Sequence, residues 1–176
     1  MKKFLTLLLL ISNIMIANES KRDGFSLPTL IGEGLLKVLW WEVYDVRLLT
    51  DETSFSWKKK FMLEFEYKRE VKKNDTIESS LKEFQRQVNI TEKDIDDWQV
   101  YLEQVIQSVQ QETKATVEWN PQGKIIFHYE GNAPITIDNE DFAKAFFNIW
   151  LGEETSQPEL RSQLFDSFNH DFLREQ

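Results

Sequence analysis

The spacing of apolar residues changes period along the chain, and the order of those changes restricts the fold more than any single motif. From Leu35 to Leu49 the period is two: Leu36, Val38, Trp40, Tyr44, Val46 and Leu48 fall on one side of an extended chain. The other side carries Leu35, Leu39, Trp41, Val43 and Leu49, interrupted by Lys37, Asp45 and Arg47. That pattern predicts one long β segment covered fully on one face and in part on the other. Phe61, Leu63, Phe65 and Tyr67 repeat it after Thr50 to Lys60, a gap long enough for a loop or a short strand.

From about Asp75 the spacing becomes helical, with Ile77, Leu81, Phe84 and Val88 on one stripe. Thr91 and Asp94 form a capping-box pattern, and Ile95, Trp98, Leu102, Val105, Ile106 and Val109 predict a second helix. Strand composition then returns. Ala115 to Trp119 and Lys124 to Tyr129 flank the turn residues Asn120, Pro121, Gln122 and Gly123, which predicts a hairpin, and Ile135 to Ile137 adds a short strand. Asp138 is placed to cap a third helix with Phe142, Ala145, Phe146 and Ile149, and Gly152 to end it. A last helix from about Pro158 carries Leu160, Leu164, Phe165 and Phe168 on one side. Strands, helices, strands and helices in that order make an α+β fold, an antiparallel sheet with helices on one face. The 176 residues fit a single core, and no internal repeat divides them.

The first residues read as an address. Lys2 and Lys3 precede an apolar run from Phe4 to Ile16, then Ala17 and the polar Asn18 to Arg22. This is the layout of a secretory signal, residues 1–17, leaving 18–176 as one mature domain; a retained anchor is the alternative. The run is shorter than the roughly 20 residues of a membrane-spanning helix, and nothing later is apolar enough to span. A periplasmic or secreted location follows as the expectation.

Thirty acidic against twenty-one basic residues give a formal charge of −9, which argues against a phosphate backbone as partner. The absence of cysteine excludes disulfides, thiol nucleophiles and thiolate metal sites. A catalytic triad needs a base beside a nucleophile; of the two histidines, His128 lies in a strand, where it reads as a half-buried or surface residue, and His170 lies near the end of the chain, so neither points to one. The acidic groups Asp94, Asp96, Asp97 and Asp138, Glu140, Asp141 both open helices, where carboxylates favour the positive end of the dipole; no metal or other cofactor is expected. Gly32, Glu33 and Gly34 lack the lysine and spacing of a phosphate loop. The unusual feature is aromatic: Trp40, Trp41 and Tyr44 on the long strand, and Phe146, Phe147 and Trp150 on the third helix, either fill the core or line an apolar pocket.

Several of these segments, taken in order, resemble the chalcone isomerase-like family, especially its bacterial exported branch. They are Gly34 to Val43 with Tyr44, Asp45 and Val46, Phe65 to Val71, Asp141 to Ala143, Phe146 to Gly152, and Leu160, Arg161 and Leu164, within a likeness running from about Gly24 to Phe168. The resemblance implies an open-faced β-sandwich in which helices pack on a curved antiparallel sheet. It also implies what an isomerase of the family needs: an arginine and a threonine near the long strand, a tyrosine and an asparagine near the following helix, and a later hydroxyl. Here Leu39 or Trp40 takes the threonine position, Ile31 to Leu36 contains no arginine, Lys72, Lys73 and Ser80 replace the tyrosine and asparagine, and Ala143 takes the last position.

By analogy with members that hold fatty acids, the leading expectation is a non-catalytic exported protein binding a small apolar or amphipathic ligand. Trp40, Trp41, Tyr44, Phe146 and Trp150 would line its cleft, and Arg69, Lys72 or Lys73 would meet a carboxylate. Two alternatives stay open. One is an isomerase or lyase using Tyr44, Lys73 and Arg69 as substitutes; the other is an envelope interaction module with no ligand.

Overall fold

The computed structural model of the protein describes residues 28–172, with side chains through Asp166. The expected signal segment 1–17, Gly24 and the side chains of Phe168 and His170 lie outside the described residues. In chain order the elements are β1 (Thr29–Val38), β2 (Trp41–Thr50), β3 (Phe61–Tyr67), α1 (Lys73–Arg86) and α2 (Glu92–Val105), then β4 (Lys114–Asn120), β5 (Lys124–Tyr129), β6 (Ile135–Asp138), α3 (Glu140–Leu151) and α4 (Pro158–Phe172). The six strands form one antiparallel sheet in sequence order.

The long strand read from the sequence is a hairpin. Val38 pairs with Trp41 across a two-residue turn, Leu39-Trp40, and Leu39 takes a left-handed φ of 57°. A tight turn alone would pair even-numbered residues of β1 with odd-numbered ones of β2. A β-bulge between Leu36 and Lys37 leaves Val43 unopposed, so Leu36 faces Tyr44 and Gly34 faces Val46. The bulge restores the parity that the turn breaks, and the alternation therefore runs through the bend unbroken.

Other boundaries also differ. The second helix stops at Val105, and Val109 instead exchanges backbone hydrogen bonds with Val71, 3.0 Å each way. Val88 lies beyond α1 and is exposed. The third helix is capped not by Asp138, which ends β6 and pairs with Lys124, but by Asn139, whose Oδ1 accepts from the Phe142 N–H at 2.9 Å. The Thr91–Asp94 capping box forms as its pattern predicts. Gly152 ends α3 at an ordinary φ of −72°; it is required by space, since a Cβ there would sit 2.6 Å from the Asn148 carbonyl oxygen.

All four helices lie on one face of the sheet. Across that face run rows of opposed residues: Thr50, Phe61, Trp119, Ile125 and Ile137; then Leu48, Leu63, Val117 and Phe127; then Val46, Phe65, Ala115 and Tyr129; then Leu36, Tyr44 and Tyr67. The first row is sealed by aromatics. Phe61 packs 4.9 Å from Phe147 of α3, Phe55 and Trp57 of the β2–β3 loop close over it, and the Trp119 indole donates to the Trp57 carbonyl at 3.0 Å. Gly32 and Gly34 share this face, and their missing side chains let α4 lie directly on β1: a Cβ at Gly32 would stand 2.2 Å from the Leu164 carbonyl oxygen. The opposite face carries ion pairs such as Arg47–Glu64 and Lys68–Asp45. Among the described residues no helix is long and apolar enough to cross a membrane.

Candidate ligand-binding cleft

The rows become smaller along β4, from Trp119 through Val117 to Ala115, and space opens where they do. At the Ala115 end a cleft of about 350 Å³ lies between the sheet and the helices, at the lower end of the roughly 300–1,000 Å³ typical of small-molecule sites. Its floor is Leu36, Tyr44, Phe65, Tyr67, Ala115 and Tyr129; its roof is Phe146, Ile149 and Trp150 of α3; and Thr76, Ser79, Ser80 and Glu83 of α1 form one wall. Phe65 and Phe146 contact Trp150 at 5.1 and 5.4 Å between ring centroids, which fixes the roof against the floor. Val38 and Val43 carry the apolar lining toward the β1–β2 turn.

The polar groups of the cleft fall into two sets. On the floor are the hydroxyls of Tyr44, Tyr67 and Tyr129. The Trp150 indole N–H donates to the Tyr44 oxygen at 2.8 Å, and the Gln107 backbone supports Tyr129. Burial raises all three phenol pKa values above the ordinary value, with nearby Glu83 adding to the rise at Tyr44, so each stays a neutral donor. On the α1 wall, Ser79 and Ser80 line the cleft and donate to the carbonyls of Asp75 and Thr76 at 2.8 and 2.9 Å, which leaves their oxygens free to accept.

Of the residues singled out in the sequence, Tyr44, Phe146 and Trp150 line the cleft. Trp40 and Trp41 do not; they sit at the hairpin tip, 75% and 53% exposed beside exposed Val38 and Leu39. The Arg69 guanidinium stacks 4.7 Å over Trp41, and Lys73 pairs with Glu103, so neither cation is part of the lining. Lys72 is the exposed residue before α1. The substitute acid-base set Tyr44, Lys73 and Arg69 thus does not converge, and Ala143 is buried away from the cleft. Tyr67 and Tyr129 also line the cleft, and the sequence signal that marks them is the alternation of β3 and β5, which puts them on the same face as Tyr44. A wider depression of about 570 Å³ between α3 and the α1–α2 connection is lined largely by polar side chains. His128 stands on the opposite face, 3.9 Å from Glu118. Among the described residues no group of three or more histidines and carboxylates is placed to hold a metal ion.

An open antiparallel sheet with its helices gathered on one side, and an apolar cleft between them, defines an α+β protein of the chalcone isomerase-like fold. The sequence profile of the family described as chalcone isomerase-like matches residues 11–166, and the chain belongs to that family. Its fold is similar to the crystal structure of a fatty-acid binding protein from Arabidopsis thaliana, with a TM-score of 0.59 and 12% identity over 79% of this chain and 87% of that one. No curated protein matches the sequence.

Proposed function

We propose that this protein is an exported, non-catalytic member of the family, of its bacterial exported branch, that holds a small apolar or amphipathic ligand with a fatty-acid-like chain in the cleft. The observation that carries this reading is the 350 Å³ left open at one end of a sheet whose other end is sealed by stacked aromatics. The Arabidopsis relative's fatty-acid binding agrees with it. The lack of an isomerase residue set favours a binding role, and Lys2, Lys3 and the apolar run to Ile16 favour export to the periplasm or beyond.

Native mass spectrometry of the protein purified from its own cell envelope, followed by denaturation, tests both parts. A stoichiometric small molecule on a chain that begins near Asn18 is the expected result. Added alkyl probes should bind about 15-fold more tightly for every two methylenes until the cleft is full, since each buried methylene contributes about 0.8 kcal/mol. A clean protein that binds no alkyl probe would sink the reading. It would favour an envelope interaction module instead, for which the exposed tip of Val38, Leu39, Trp40 and Trp41 is the available surface.

A further inference from the structure

The charges around the cleft run against the carboxylate of a free fatty acid. Its charged lining residues are Asp75, Lys82 and Glu83, and Lys82 is already paired with Glu78 one turn back along α1, at 2.6 Å. Of the described cations nearest in sequence, Lys68 is engaged with Asp45 and Glu66, Arg69 over Trp41 and Lys73 with Glu103, and Lys72 is exposed and outside the lining. A carboxylate drawn into this apolar space would meet two acids and the lone pairs of Ser79 and Ser80 on the α1 wall. Burying an anion without a partner is costly enough that the group takes up a proton or stays out.

The same groups suit an uncharged polar head. The Tyr44 oxygen accepts from the Trp150 indole, so its own hydrogen is available to a ligand oxygen, and Tyr67 packs beside it with ring centroids 5.6 Å apart. A carbonyl, ester or hydroxyl oxygen finds these phenolic donors on the floor. A ligand hydroxyl finds acceptors on the α1 wall in Ser79, Ser80 and Glu83, the last held in place by the Ser156 N–H at 3.1 Å. Resting on the reading that the cleft holds the ligand, we infer that it selects uncharged amphiphiles, an alkyl chain ending in an ester, carbonyl or hydroxyl head, over the anion of a free fatty acid.

The test compares three probes of one chain length on the full protein by calorimetry: dodecanoate, 1-monododecanoylglycerol and dodecylamine. The glycerol ester is expected to bind at least tenfold more tightly than dodecanoate at pH 7.5. An ordinary carboxylic acid is protonated roughly once in several hundred molecules near neutral pH, so the apparent affinity for dodecanoate should rise by up to tenfold per unit as pH falls from 8 to 6. Facing the ligand head during that change are Asp75, Lys82 and Glu83 of α1, Tyr44 of β2, Tyr67 of β3 and Tyr129 of β5. Glu83→Gln, which keeps the acceptor for Ser156, should narrow the gap between ester and anion by two- to fivefold. Tyr44→Phe should weaken the ester several-fold. Dodecanoate binding as tightly as the ester at pH 7.5, or dodecylamine binding tightest, would overturn the assignment while leaving the cleft as a ligand site. Failure of all three to bind would remove the site itself, and the head assignment with it.

Discussion

Glu118 is the residue whose setting departs furthest from its chemistry. It lies on the outer face of β4, 7% exposed, with Lys60 and His128 each 3.9 Å away. Desolvation raises its pKa above the ordinary carboxylate value, and Lys60 offsets only part of that rise. Because the folded-state pKa exceeds that of the unfolded chain, ionisation costs stability. The cost is absent when the carboxyl is protonated in both states and full once the pH passes the folded value. Glu118→Gln is therefore expected to raise the urea midpoint at pH 7.5, with the gain disappearing at about pH 4 and below, near the ordinary glutamate value. A lower midpoint for the variant at neutral pH would show that the attraction of Lys60 outweighs desolvation. The placement of the cations was not legible in the sequence. Arg69 and Lys73 follow β3 closely enough to suggest a cleft mouth, but Trp41 and Glu103 hold them elsewhere.

Among the elements, α4 depends on what β1 lacks. Gly32 and Gly34 sit where the backbone and side chains of Leu160, Gln163 and Leu164 occupy the space of a Cβ. Arg161 on the same helix donates to the Leu151 carbonyl at 2.9 Å, supporting the C-terminal end of α3, so one docked helix also fixes the roof of the cleft. Gly32→Ala should lower stability by about 2–3 kcal/mol, as overpacking against backbone does, read as a shift of the urea midpoint at constant slope. A loss below half that would show that α4 can slide on the sheet. Helix existence was legible from the 3.6-residue stripes, and so was the β4–β5 hairpin, whose turn has Gly123 at a φ of 85°. The β1–β2 hairpin was not. Its turn, Leu39-Trp40, contains no glycine, asparagine or proline, and holding Leu39 left-handed costs on the order of 1 kcal/mol. The bulge at Val43 kept the hydrophobic alternation in phase across it.

At the scale of the whole molecule, the sheet is a gradient from a packed end to an open one, and Ala115 marks the change. Ala115→Phe should fill the cleft from its floor, leave the fold and its thermal midpoint unchanged or slightly raised, and lower alkyl-probe affinity at least tenfold. A folded variant with undiminished binding would place the ligand elsewhere, the depression near Asp141 and Asn148 being the alternative. The sequence by itself determined the α+β order, the helix stripes, most strand positions and the family likeness, because each rests on local periodicity or short motifs that need no knowledge of distant contacts. Which aromatics became core, tip or cleft was decided by the tertiary structure. Phe147 went to the sealed end, Trp40 and Trp41 to solvent, and Tyr44, Phe146 and Trp150 to the cleft. The reason is that a residue's face is set by its own strand or helix, whereas the space above that face depends on side chains brought from elsewhere in the chain, here the small Ala115 opposite Phe65 and the α3 roof held by α4.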